Sequence, residues 1–147
     1  MEYTVRSKSP AVRAFVESTC RFLAQELKIA KSAWNLEIQM VKNLRTREGM
    51  RGSMVNLGGK YILMEIDSTL SFEALIDTIA HEMVHVKQTV KGQYRVEMKG
   101  RTVHRYWRGK KVQADYYDQP WEKEAWSREK LLASRLHALF DKLNKQP

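Results

Sequence analysis

The stretch Ser71–Val86, SFEALIDTIAHEMVHV, decides how this chain folds. Ser71 suits an N-cap, Glu73 suits the positive first turn of a helix, and Leu70 can staple against Leu75. Leu75, Ile76, Ile79, Ala80, Met83 and Val84 recur at helical spacing, which predicts a helix with a buried stripe that ends near Gly92. At the edge of that stripe stands His81-Glu82-Met83-Val84-His85, an HExxH motif. On a helix, residues four apart share a face, so the two imidazoles can hold one zinc ion with a glutamate beside them. His81 and His85 are thus read as metal ligands. Glu82 is read as the general base that deprotonates zinc-bound water and passes the proton to a leaving amine.

Catalytic zinc takes three protein ligands and keeps one position open, so a third ligand must come from elsewhere in the chain. A metzincin would carry glycine and histidine three and six residues past His85, but Gln88 and Lys91 stand there, which excludes that class. His104 could supply a third imidazole from a basic, extended segment. The stretch Pro120-Trp-Glu-Lys-Glu-Ala instead offers two carboxylates, Glu122 and Glu124, at the rigid start of a helix.

Around these motifs the pattern is that of a small α+β domain. Ser9-Pro10 opens a helix of about five turns ending near Lys28, with Val12, Phe15, Val16, Phe22, Leu23 and Leu27 on its apolar side. Trp34–Met40 and Gly59–Ile66 alternate as strands, with Ser53–Leu57 as a weaker strand between them, and glycines 49, 52, 58 and 59 punctuate the turns. After the HExxH helix, Tyr94–Met98 and Thr102–Trp107 followed by Arg108-Gly109 predict a hairpin-like lobe. A long amphipathic helix then runs from Pro120 through Leu143.

HExxH followed by a helix bearing E-x-E-A resembles the gluzincin metallopeptidases, especially compact phage-type forms. The two motifs carry nearly all of the resemblance, which spans Leu57 to Leu136. It implies a zincin-like domain, one Zn2+ ion, and Glu122 as third ligand, with Glu124 as the alternative. Trp126 departs from the pattern, because those families often place an acidic or amide residue there. The partner that orients a histidine must then come from elsewhere, and Asp77, one turn before His81, is a candidate. Tyr116, Tyr117 and His104 are candidate donors to a developing oxyanion. The resemblance also implies strand addition of an extended peptide along Lys60–Ile66, if that strand lies at a sheet edge.

The 147 residues predict a single domain, 1–147, with one cysteine, Cys20, and therefore no internal disulfide. The start lacks the apolar core of a signal peptide and no apolar run reaches membrane-spanning length, which predicts a cytoplasmic protein with no membrane partner. A net charge of +9 favours acidic partners. The lobe carries Arg101, Arg105, Arg108, Lys110 and Lys111 with Trp107 among them, a mixture able to grip phosphates and stack bases. Three expectations follow. The leading one is a zinc metallopeptidase acting on a protein or peptide. The others are a SprT-like protease acting on DNA-bound proteins, and a non-catalytic, zinc-stabilised nucleic-acid or protein-binding module.

Overall fold

A computed structural model describes residues 1–145; Gln146 and Pro147, the end of the expected 1–147 domain, lie outside the described residues. The chain is α+β. It runs β1 (Glu2–Arg6), α1 (Pro10–Glu26), β2 (Asn35–Val41), α2 (Leu44–Glu48), β3 (Gly52–Gly58), β4 (Tyr61–Asp67), α3 (Phe72–Val90), β5 (Tyr94–Lys99), β6 (Thr102–Trp107) and β7 (Lys110–Val112). A single 3-10 turn, Tyr116–Asp118, then leads into α4 (Pro120–Asn144).

Local chemistry sets the helix starts. Ser9 accepts a hydrogen bond from the Val12 amide and Ser71 accepts one from the Ala74 amide, while Pro10 and Pro120 fill first-turn positions that need no N–H donor. Gly92, with φ of 69°, takes the left-handed position just past the end of α3. Three elements go beyond the sequence reading: β1, the short α2, and β7. Strand β1 holds its place by pairing parallel with β2, and the Met1 ammonium donates to the Ala30 carbonyl at 2.8 Å.

The main sheet has the order β1-β2-β4-β3, parallel except for β3, which runs antiparallel to β4 at one edge. The condition for strand addition along Lys60–Ile66, a place at the sheet edge, is not met. Strand β4 lies inside the sheet, and the edge belongs to β3. The side chains agree: on the outer face of the sheet Leu63 of β4 is half-buried between its neighbours, whereas Val55 of β3, beside it in register, is exposed.

One face of the sheet packs against the helices. Leu36, Ile38, Ile62, Met64 and Ile66 meet Val16, Cys20 and Leu23 of α1, Ile76, Ile79 and Met83 of α3, and Ala125, Leu132 and Leu136 of α4. Each large side chain buried there contributes about 1.5–3 kcal/mol. Cys20 sits in this core, where burial pushes its thiol pKa up to about 12 and leaves it inert. Helix α3 is therefore enclosed by the sheet on one side and α4 on another. Gly52 lets β3 pass close above it. A Cβ at that position would stand 2.7 Å from the Thr78 methyl group, and Thr78 is itself pinned by a hydrogen bond from its hydroxyl to the Ala74 carbonyl.

Strands β5, β6 and β7 form a second, antiparallel sheet. It is seated on the start of α4 through aromatic contacts of Trp121 with Tyr94 and Trp107, at centroid distances of 4.7 and 6.5 Å. Among the described residues, no helix is long and apolar enough to cross a membrane.

Candidate metal centre

His81 and His85 project from one face of α3 toward the first turns of α4. The Nε2 atoms of the two rings lie 3.2 Å apart, and Glu122 closes the triangle, with Oε1 3.0 Å from His81 Nε2 and Oε2 3.1 Å from His85 Nε2. Trp121 and Ala125, both buried, flank Glu122 on α4. The alanine allows the helices to approach, as side chains one turn apart share the contact face.

The protonation of the rings follows from their other nitrogens. His81 Nδ1 lies 2.8 Å from a carboxylate oxygen of Glu129, which only accepts, so Nδ1 carries the proton. His85 Nδ1 donates likewise to Gln88 Oε1 at 2.9 Å. In the neutral rings both Nε2 atoms then present lone pairs, facing each other and the Glu122 carboxylate. Three lone-pair donors this close are stable only around a proton or a metal cation. In a tetrahedral zinc site, ligand atoms roughly 2.0–2.1 Å from the ion stand about 3.4 Å from one another. The observed spacings of 3.0–3.2 Å come close to that figure, and two imidazoles with one carboxylate are an ordinary zinc donor set. These residues fit a metal ion.

The electrostatics reflect the same convergence. Burial would push the His81 pKa down, but the hydrogen bonds that its ring donates to Glu122 and Glu129 and the charges of Glu82 and Glu122 prevail and raise it to about 9. Burial opposes the charge on Glu122, yet its bonds to His81 and His85 hold its pKa at about 2. Glu82 is nearly enclosed, and burial raises its pKa above the usual carboxylate range despite the neighbouring histidines. It lines a cleft of about 430 Å3 together with His81, His85, Tyr116 and Glu122.

The other residues singled out in the sequence divide clearly. Tyr116 reaches the site, its hydroxyl donating to Glu122 Oε1 at 3.4 Å, and burial together with Glu122 pushes its pKa up to about 12. Tyr117 does not; its ring packs on Tyr116 and Trp126 and remains largely exposed. Glu124 faces away from the imidazoles and bonds to Lys87 and Gln88. Asp77 makes no hydrogen bond to His81, whose Nδ1 is taken by the Glu129 carboxylate instead. Glu129 takes that role. Its signal was in the sequence: it stands seven residues after Glu122, two full turns along the same face of α4.

His104 also lies apart from the site. Strand register puts it on the lobe face that holds Arg95, Tyr106 and Lys111, opposite the face bearing Trp107 and the cleft-lining Arg105. Its pKa is lowered by desolvation and by Lys111 and Lys99. The same register divides the basic residues. Arg105, Trp107 and Lys110 share one face, Lys111 is on the other, and Arg101 and Arg108 sit in the turns between strands. Arginine side chains cover two of the aromatic rings, Arg95 over Tyr106 at 4.3 Å and Arg108 over Trp107 at 5.4 Å.

Compared with protein-family models, with curated proteins and with solved structures, the chain finds no match in any of the three.

Proposed function

We propose that this protein is a zinc-dependent metallopeptidase of gluzincin type, with a zincin-like fold, which hydrolyses a peptide bond in an extended polypeptide. The observation that carries the reading is the convergence of His81 Nε2, His85 Nε2 and a Glu122 carboxylate beside the enclosed Glu82. When bound by these three residues, a zinc ion supplies Lewis acidity to the scissile carbonyl and lowers the pKa of water to roughly 7.

The chain's own groups supply the rest. Glu82, whose burial brings its pKa closer to neutral, accepts the proton of the attacking water and returns it to the departing amine. Tyr116 keeps its hydroxyl proton across the working pH range and donates it as a hydrogen bond to the oxyanion. Glu129 and Gln88 hold the two imidazoles in the orientation that points Nε2 at the ion.

The substrate reading rests on the edge of β3. Its residues Gly52, Ser53 and Met54 border the same cleft as Glu82, and its outer side has free backbone groups able to pair with an added strand. From there a groove of about 790 Å3 continues between β3 and the lobe, lined by Trp34, Met54, Val55, Val96 and Met98. Bulky apolar side chains near the scissile bond suit it.

The test is Glu82→Gln. Zinc content should match wild type, while hydrolysis of a peptide library falls by roughly 10²–10⁴-fold. Undiminished hydrolysis in that variant sinks the mechanism.

A further inference from the structure

Behind the metal centre, Gln88, which orients His85, is itself held by a buried ion pair that the proposed chemistry does not use. Lys87 is 4% exposed and Gln88 is fully enclosed. Lys87 Nζ donates to both carboxylate oxygens of Glu124, at 2.8 and 2.7 Å. Glu124 Oε1 also accepts from Gln88 Nε2 at 2.9 Å, and the second Nε2 hydrogen goes to the Trp121 carbonyl, also at 2.9 Å. Every polar atom of the Gln88 amide is thereby engaged, because its Oε1 accepts from His85 Nδ1.

This arrangement sets the direction of the amide. Both neighbours of Nε2 are acceptors, a carbonyl and an ionised carboxylate, so turning the amide over would set oxygen against oxygen twice. It would also put an N–H against His85 Nδ1, which would then have to accept, sending the ring proton to Nε2. That proton would occupy the lone pair the site needs. A buried ion pair is weak grounds for stability, since apolar residues of similar volume often replace one at no net cost. What Lys87 and Glu124 supply here is direction.

We infer that Lys87, Glu124 and Gln88 form a positioning chain that fixes the Nδ1–H tautomer of His85 and so keeps its Nε2 free for metal. The inference rests on the metal-centre reading but is independent of peptide hydrolysis. It gives Glu124 a role two steps removed from the ion, where the sequence offered it as a ligand.

Two variants test it, each measured for zinc affinity against a competing chelator and, in metal-free protein, for the His85 tautomer by long-range 1H–15N correlation at a pH where the ring is neutral. Gln88→Met keeps the side-chain volume and removes the acceptor. It should weaken zinc binding by roughly 10–100-fold and release the Nδ1–H preference. The double variant Lys87→Met, Glu124→Met removes the ion pair without stranding a charge, so the metal-free fold should survive by thermal unfolding, while zinc affinity still falls about tenfold. Wild-type zinc affinity and an unchanged Nδ1–H tautomer in the double variant would overturn the positioning chain. If wild type itself binds no zinc, the metal-centre reading fails, and the tautomer measurement still decides what directs His85.

Discussion

The seam between α3 and α4 and the three-stranded lobe beside it use polar residues in opposite ways. Along the seam, His85, Lys87, Gln88 and Glu122 are all under 10% exposed, and each has a specific partner on the facing helix or within its own. In the lobe the charged side chains are mostly solvated, and large apolar ones are exposed too, Met98 at 65%. The contrast is one of cost. A buried polar group without its partner costs about 1–3 kcal/mol, more for a charge, so the position of each one on the seam is constrained by the others. An exposed lysine or arginine costs almost nothing wherever it stands, and an exposed pair such as Arg95 with Glu97 contributes about 0–1 kcal/mol. Polar groups on the seam therefore specify a site, whereas the charges of the lobe specify little until a partner is present.

The sharpest way to break this contrast is at the two glutamates of the seam. Glu122→Ala should abolish stoichiometric zinc binding, a loss beyond the roughly 10–100-fold expected for a group outside the ligand set, while Glu124→Ala should retain the ion at reduced affinity. Metal analysis of the purified variants, with chelator titration, separates the two. Equal zinc loss in both would erase the distinction between ligand and support.

Tyr116 comes next, since it borders the seam yet is half exposed. Tyr116→Phe should lower kcat by about 10²–10³-fold with zinc content unchanged, as for the loss of one oxyanion donor. An unchanged kcat would reduce the tyrosine to a wall of the cleft.

The seam should also report on pH. His81 has a folded pKa raised from 6.5 to about 9, so its contribution to the metal-free fold is complete below pH 6.5 and is lost as pH rises through about 9. Glu122 is lowered from 4.5 to about 2, so its contribution is present above pH 4.5 and is lost as pH falls toward about 2. Denaturant midpoints of the metal-free protein should thus be highest between these limits. With zinc bound, the alkaline decline should vanish, because the ion and not a proton then joins the three ligands. A metal-free midpoint that stays flat from pH 6 to 10 would contradict the coupling.

The smallest effect belongs to the lobe. Replacing Arg101, Arg108 and Lys111 together by alanine should shift stability by less than about 1 kcal/mol and leave zinc affinity unchanged. The same variant, titrated with single- and double-stranded nucleic acid at two salt concentrations, should bind no more weakly than wild type. A loss of salt-sensitive binding would show that these three cations of the lobe do act together.

Much of the scaffold was legible from local signals. Ser71 and Pro120 announced their helices because caps and first-turn prolines act through groups only a few residues away. The strand at β1 gave no comparable signal, since its five residues are extended through pairing with β2, more than thirty positions on. Whether Lys60–Ile66 lay at the edge stayed open in the sequence for a related reason. Alternation marks a strand without saying whether it has one neighbour or two, and only the sheet order shows that β3 lies outermost.

The sequence by itself determined the pair of imidazoles, because four-residue spacing on a helix places them together whatever else the chain does. It also determined that a carboxylate at the start of α4 was available, but left two of them. Residues two apart on a helix point about 200° away from each other, so one had to face the histidines and the other the flank. Only the packing of Trp121 and Ala125 against α3 chose Glu122, turned Glu124 toward Lys87 and Gln88, and brought Glu129 behind His81. Spacing along one helix is fixed by the backbone, whereas the rotation of one helix against another is fixed by side chains far apart in the chain.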